Sequence, residues 1–423
     1  MLAFTFPGQG SQRPGMGSAW SNEASYEIVT EASDLTGRDL GWLLTEATAE
    51  DLRRTENAQL ATFLTSLVVL DAIERTGLSP TWCAGHSLGE YTALVAAGFL
   101  TLEDGLQLVS VRGQAMQEAS EHRPGTMAAL VGIDDAGADV ACRRADDEVW
   151  VANYNAPGQV AIAGTAEAIA KATAIAKELG ARKALALQVS GAFHTPLMID
   201  AREPLRKALA EVSWCTSEVP VVANVDGLAH DDPSQWGALL SSQLTNPVRW
   251  HQSLSRLYDL GATSLVEVGP GGVLTGLARR ALPQVSALSV STPDNVVGLM
   301  EATAGNDWVQ SHLEADRGEK LFVSERLIVS PCAGVFHPRP ELNVPRPGDQ
   351  LPSKRRVTHA SPQGAAGRRT TTIGVGNDLG TVSGQAVRSP FEGELVGFLA
   401  HSGERVESGQ PLAWMRAASR PDS

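Results

Sequence analysis

Two stretches of this 423-residue chain share one plan: a short apolar segment, a glycine-bearing turn, then a helical run. In "TWCAG" followed by "HSLGEYTALVAAG" the turn holds Ser87, and in "SLVEV" followed by "GPGGVLTGLARRAL" it holds Gly269–Gly272. Short apolar runs without polar alternation suit strands buried on both faces, as in a parallel sheet covered by helices. "LAFTF", closed by "PGQG", adds a third such strand. "QLATFLTSLVVLDAIERTG" is apolar on nearly all sides and predicts a buried helix ended by Gly77. The first 300 residues therefore read as α/β, a mostly parallel sheet with helices on both faces. Sites in such sheets form beyond the carboxyl ends of the strands, where both Pro7–Gly10 and Gly85–Gly89 fall.

Residues 126–188 keep a different rhythm. "TMAALVGI" reads as strand, "DDAGADVACRRA" as helix, and "EVWVANY" and "QVAIAG" as two strands. "TAEAIAKATAIAKELG" is a helix begun at Thr165, with Glu167 in its first turn, and stopped at Gly180. "ARKALALQV" completes βαββαβ, a ferredoxin-like unit inserted between halves 1–125 and 189–305 of the larger domain.

Composition changes again past a linker at 306–320. The net charge of −14 is unevenly placed: residues 1–320 carry 22 Lys and Arg against 39 Asp and Glu, residues 321–423 carry 12 against 9. An acidic chain is a poor generic nucleic-acid binder. Residues 338–370 are rich in Pro, Arg, Ser and Gly and predict disorder. "VSPCAGVF" and "RSPFEGEL" flank that stretch and share S-P-x-x-G, as expected of two related strands in a small β module over 321–417. No apolar run is long enough for a transmembrane helix, and the N-terminus lacks an export pattern. Cys83, Cys142, Cys215 and Cys332 are scattered without C-x-x-C spacing, which suits a reducing cytoplasm and gives no metal site.

Which residues could carry chemistry is open at this level. Ser87 in G-H-S-L-G is either a nucleophile on a sharp strand-to-helix turn or a small residue at a bend; in the first case the Leu88 N–H would be an oxyanion donor. Among nine histidines, His194 in "QVSGAFHTPLM" stands out, just before Thr195 and Pro196, a cap and first helical residue. It faces a cleft as a base or is a loop histidine bonded to backbone. Arg112 sits among Leu108, Val109, Ala115 and Met116 on a helical stripe. It is a fork for a substrate carboxylate, a snorkelling side chain or the partner of a nearby Glu.

Taken in order, "FPGQGSQ", "GHSLGEYTALVAAG", "RGQAMQ", "NYNAPGQVAIAG", "VSGAFHTPLM", "QLTNPVRW" and "EVGPGGVLTGL" resemble the malonyl-CoA:acyl carrier protein transacylases and the acyltransferase domains of fatty acid and polyketide synthases, over residues 1 to about 300. The resemblance implies an α/β-hydrolase-like core, a cytoplasmic enzyme and no permanent cofactor. Its substrates would be malonyl-CoA and the phosphopantetheine of an acyl carrier protein. It implies Ser87 as the acylated nucleophile and His194 as its base, with the Gln9 and Leu88 N–H groups as the oxyanion hole. Arg112 would hold the malonyl carboxylate, the Gln243 carbonyl would orient His194, and Phe193 would favour malonyl over branched extenders. The last hundred residues resemble biotinyl/lipoyl-type flattened barrels. Lys354 is the only lysine past 321 and lies in the stretch read as disordered, so biotin or lipoate is not expected. A structural or docking role, the latter toward a synthase or carboxylase partner, is. Two alternatives stand: a thioester hydrolase, in which water replaces the thiol, and an assembly subunit. Arg279, Arg280 and the basic stretch 354–369 are the candidate contacts for an acidic carrier protein.

Overall fold

Strand β1 (Leu2–Phe6) is buried along its whole length, as are β2 (Trp82–Gly85) and β9 (Ser264–Val268). With β7 (Val221–Val222), β8 (Ala229–His230) and β10 (Ser286–Val290) they form a six-stranded sheet in the order β10-β9-β1-β2-β7-β8. Every pairing is parallel except β7 with β8. β1 is central, paired Phe6 to Gly85 and Thr5 to Glu267, so the turns after β1, β2 and β9 leave the sheet side by side. The helix Thr55–Glu74 is buried almost throughout, and Gly77 follows in the left-handed region at φ 87°. In this computed structural model the described residues are 1–189 and 191–304, then 323–330, 334–339, 342, 371–373, 377–389, 393–398, 402, 405–406 and 411–418. The chain divides into two units, Met1–Asn306 and Asp307–Ser423.

Within the first unit, β3 (Thr126–Val131), β4 (Val149–Ala156), β5 (Gln159–Gly164) and β6 (Lys183–Ala186) form a separate antiparallel sheet, ordered β4-β5-β3-β6. The helices Asp135–Ala145 and Ala166–Glu178 cover one face, burying Leu130, Val151, Ile162 and Ala172. Thr165 caps the second by accepting the Ala168 N–H at 3.3 Å. The closing strand is shorter than the expected 181–189. It is an exposed edge, and after Ala186 the chain turns toward His194 with the Val189 N–H on the Leu187 carbonyl. β4 carries two register shifts, and between them the Tyr154 N–H donates to the Val248 carbonyl while the Val248 N–H donates to Ala152. Those bonds tie the small sheet to the segment of the larger domain that leads into the helix Trp250–Asp259.

The second unit, described by itself, repeats a four-strand order. Its first half is β11 (Val323–Val329), β12 (Gly334–Pro338), β13 (Thr371–Ile373) and β14 (Asp378–Val382); its second is β15 (Gln385–Arg388), β16 (Gly393–Phe398), β17 (Arg405–Val406) and β18 (Pro411–Ala418). The sheets are β11-β18-β16-β13 and β15-β14-β12-β17. Replacing each strand by its counterpart in the other half turns the first sheet into the second. Matching positions of the S-P-x-x-G repeat are buried alike: Ile328 with Val387, Ser330 with Ser389, and Phe336 with Leu395. Nearly all of 338–370, Lys354 included, lies outside the described residues.

Candidate active site

The turns after β1 and β2 are in backbone contact. A Cβ built on Gly8 would lie 2.3 Å from the His86 carbonyl oxygen, and one on Gly89 would lie 2.0 Å from that of Phe6. Only hydrogen fits at either point, which is why "PGQG" and "GHSLG" need glycine there. Ser87, between them, takes φ 55°, a left-handed conformation that costs a non-glycine residue about 1–2 kcal/mol. The turn holds its side chain at the head of the helix Gly89–Ala97. Gly89→Ala should therefore separate the two loops; a loss of about 1–3 kcal/mol in thermal unfolding, together with loss of acyl transfer, is the expected outcome.

Ser87 Oγ is 2.7 Å from His194 Nε2, and His194 Nδ1 is 2.9 Å from the Gln243 carbonyl oxygen. A carbonyl only accepts, so Nδ1 carries the hydrogen and Nε2 is free to receive the serine proton. His194 is buried and, like Ser87, left-handed, at φ 61°. Thr195 holds that turn, donating to the Ala192 carbonyl at 2.7 Å and accepting the Leu197 N–H at 3.2 Å. Burial, then the nearby positive charge of Arg112, push the imidazole pKa down to about 3, against the opposing pull of the Gln243 carbonyl.

Arg112, in the helix Leu102–His122, is only 1% exposed, head group included, so it does not snorkel. Its Nη1 donates to Gln59 Oε1 at 2.7 Å; its Nη2 donates to Gln243 Oε1 at 2.9 Å and to Ser87 Oγ at 3.1 Å. The guanidinium lies 5.3 Å from the Tyr91 ring centroid, and Nε is buried without a partner. A buried cation whose hydrogen bonds all go to neutral oxygens, with the charge of Glu90 acting on it only through space and with a donor to spare, is suited to a negative group on an incoming molecule.

The remaining expected residues surround this pair. Leu88 is the buried N-cap residue of the helix after Ser87, and Gln9 is half-buried on the facing loop. Neither N–H is spent on a protein acceptor among the described residues. Phe193 is buried beside His194 in sequence. His86 turns away from Ser87, with Nε2 2.9 Å from Asn155 Oδ1 and its ring edge-on to Trp250. Gln59, Glu90 and Asn224, all buried and all bonded into the group, have no counterpart among the expectations. Gln59 and Glu90 stand out only as buried polar residues on largely buried helices. Of the basic candidates, Arg279 donates to the Ala287 carbonyl and Arg280 to Gln159 Oε1; stretch 354–369 is outside the described residues. Among the described residues, no group of three or more His, Cys, Asp or Glu is placed to hold a metal ion, and no helix is long and apolar enough to cross a membrane.

Residues 3–319 match the family model described as acyl transferase domain. The malonyl CoA-acyl carrier protein transacylase of Escherichia coli K12 is 42% identical over 308 residues, 71% of this chain and 99% of the relative. That of Bacillus subtilis is 39% identical over 300 residues, 70% of this chain and 95% of the relative. Among solved structures, an acyl carrier protein S-malonyltransferase from Vibrio cholerae matches with TM-score 0.68 and 38% identity over 70% of this chain and 99% of its own. A malonyl-transacylase in complex with its type II polyketide synthase acyl carrier protein matches with TM-score 0.69 and 37% identity over 71% and 99%.

Proposed function

We propose a function for a chain that belongs to the acyl transferase domain family: it moves the malonyl group of malonyl-CoA to the phosphopantetheine thiol of an acyl carrier protein, through an ester on Ser87. One observation carries this reading. A hydroxyl poised 2.7 Å from a neutral imidazole is also 3.1 Å from a buried guanidinium. That combination suits acyl groups that end in a carboxylate.

His194 takes the Ser87 proton as Oγ attacks the thioester carbonyl. The Gln9 and Leu88 N–H groups hold the resulting oxyanion at the positive end of the helix. When the tetrahedral intermediate collapses, the carbon–sulfur bond breaks and His194 returns the proton to the CoA sulfur. In the second half the carrier thiol gives its proton to His194 and attacks the ester, and Ser87 recovers its hydrogen. Arg112 releases Ser87 Oγ and turns its donors to the malonyl carboxylate. Neutralising the guanidinium removes one cause of the depressed basicity of His194, so the carboxylate favours the chemical step as well as binding. Phe193 borders the acyl site and limits it to unbranched malonyl.

The β4-β5-β3-β6 order supports a ferredoxin-like insertion at 126–188 between core segments 1–125 and 189–305. The exchanged sheets support a biotinyl/lipoyl-like flattened barrel at 321–417, after a linker at 306–320. With Lys354 as its only lysine, that module serves structure or docking, toward a synthase or carboxylase partner, without biotin or lipoate. The scattered cysteines support a reducing, cytoplasmic setting for the enzyme. The relatives named above are covered almost end to end by about 70% of this chain, and the family match ends at residue 319, before that module. Truncation after residue 306 should therefore leave transfer within about twofold of the full chain while abolishing co-purification with a partner. Arg279, Arg280 and 354–369 are the proposed carrier contacts, read out as a salt-dependent KM for the carrier.

The deciding experiment is incubation with malonyl-CoA alone, followed by intact-protein mass spectrometry and addition of holo carrier protein. A malonyl adduct on the Ser87 peptide that the carrier discharges supports transfer. Release of free malonate with no malonyl-carrier would assign a hydrolase instead.

A further inference from the structure

Buried polar side chains that the proposed mechanism does not use converge behind Ser87. Asn224, just past β7, is wholly buried. Its Nδ2 donates to the Gly85 carbonyl at 2.6 Å, and its Oδ1 accepts the Ser87 N–H at 2.7 Å. One amide thus bridges the residues on either side of His86, where β2 stops and the chain turns left-handed. Glu90, in the first turn of the following helix, is 1% exposed. Its Oε1 accepts the Asn224 N–H at 3.0 Å, and its Oε2 accepts a short hydrogen bond from Gln243 Nε2. Gln243 Nε2 donates as well to the Ser87 carbonyl, at 2.9 Å. The same glutamine holds His194 through its carbonyl and Arg112 through its Oε1.

Burying a carboxylate against two neutral amides is costly, and an apolar or amide side chain of similar volume would fold more cheaply. Burial pushes the Glu90 pKa up to about 7, opposed by the Asn224 and Gln243 hydrogen bonds and the Arg112 charge. Ionised, the carboxyl supplies two acceptor oxygens and no donor. A glutamine would offer one acceptor and turn an N–H₂ toward the other donor. Ser87 and His194 both sit in conformations that persist only where the surroundings over-determine them. Their supports, Asn224 and Gln243, lie 134 and 153 positions from Glu90 in the chain and meet there. We infer that Glu90 is a positioning residue, joining the support of the nucleophile and the support of the base into one unit. The inference rests on the roles proposed above for Ser87 and His194.

The test uses the full chain with Glu90→Gln, Asn224→Ala and the double variant. Each is measured for single-turnover malonyl-enzyme formation, KM for malonyl-CoA, thermal melting and sulfonylation of Ser87 by phenylmethylsulfonyl fluoride. Glu90→Gln is expected to fold, to form malonyl-enzyme on the order of 10²-fold more slowly with a much smaller change in KM, and to be sulfonylated correspondingly slowly. Asn224→Ala should behave alike, and the double variant should fall no further than the worse single, because both break one chain of bonds. A parental rate in Glu90→Gln, or losses that multiply in the double variant, would overturn the inference. Should Glu90→Gln fail to fold, Glu90→Asp keeps the charge but is too short to reach both donors, and takes the same test. A Ser87→Ala control separates the two levels. If it still becomes malonylated, the reading of the site itself has failed; if it does not while Glu90→Gln is unchanged, only the positioning role falls.

Discussion

A His194→Ala variant is expected to form malonyl-enzyme about 10⁴-fold more slowly than the parent chain, with malonyl-CoA binding little altered. Among the described residues, the imidazole is the one group bonded to Ser87 Oγ that can take its proton: Nε2 is 2.7 Å away, and its tautomer is set by the Gln243 carbonyl. Arg112, the other partner of Ser87 Oγ, is a cation and can only donate. Four decades correspond to about 5 kcal/mol of transition-state stabilisation. Stopped-flow or quench measurement of the first turnover checks it; a loss below tenfold would mean that another base serves. The same variant carries a pH signature. Unfolded, the histidine titrates near 6.5; folded, burial and Arg112 hold it at about 3. A depressed histidine contributes its stability above the unfolded value. That contribution is lost as pH falls from 6.5 toward 3, because the unfolded chain takes up a proton that the folded chain refuses. Melting temperatures followed from about pH 7 to about pH 4.5 should accordingly fall less steeply in His194→Ala than in the parent.

Arg112→Ala should separate substrates rather than lower all rates together. Loss of the charged partner is expected to reduce kcat/KM for malonyl-CoA by roughly 2–4 kcal/mol. Acetyl transfer should persist or rise, because acetyl carries no carboxylate to lose. Two features of the free enzyme also favour the rise: the guanidinium occupies Ser87 Oγ and depresses the basicity of His194. Parallel assays with malonyl-CoA and acetyl-CoA check this. Equal losses would show that Arg112 supports the fold of the site and does not read the acyl group.

Much of this site is legible in the sequence because its parts lie in short ordered stretches. The turns around Gly8, Ser87, Gly89 and Gly271 follow from apolar runs closed by glycine, and His194 is marked by the Thr195-Pro196 cap beside it. What stays hidden is the layer behind. Asn224 reaches Ser87 across 137 positions, and Gln243 reaches Glu90 across 153. Neither pairing leaves a local pattern. Arg112 shows the same limit from the other side: its apolar stripe announces burial, whereas the amides of Gln59 and Gln243 that make burial tolerable come from other elements. The short β6 is a further case. Its composition continues past Ala186, but an edge strand has one neighbour to hold it, and the chain peels away toward the histidine.

The exchange of strands in the second unit makes it a lock with two keys. β11 finds its partner in β18, and β12 finds its partners in β14 and β17. Every strand that precedes residue 343 in that unit is thus clasped by strands that follow residue 370. Cutting the chain once between those positions severs a covalent link but no pair of neighbouring strands. A nicked protein should therefore stay whole until it is denatured, and its two fragments, mixed after refolding, should find each other again.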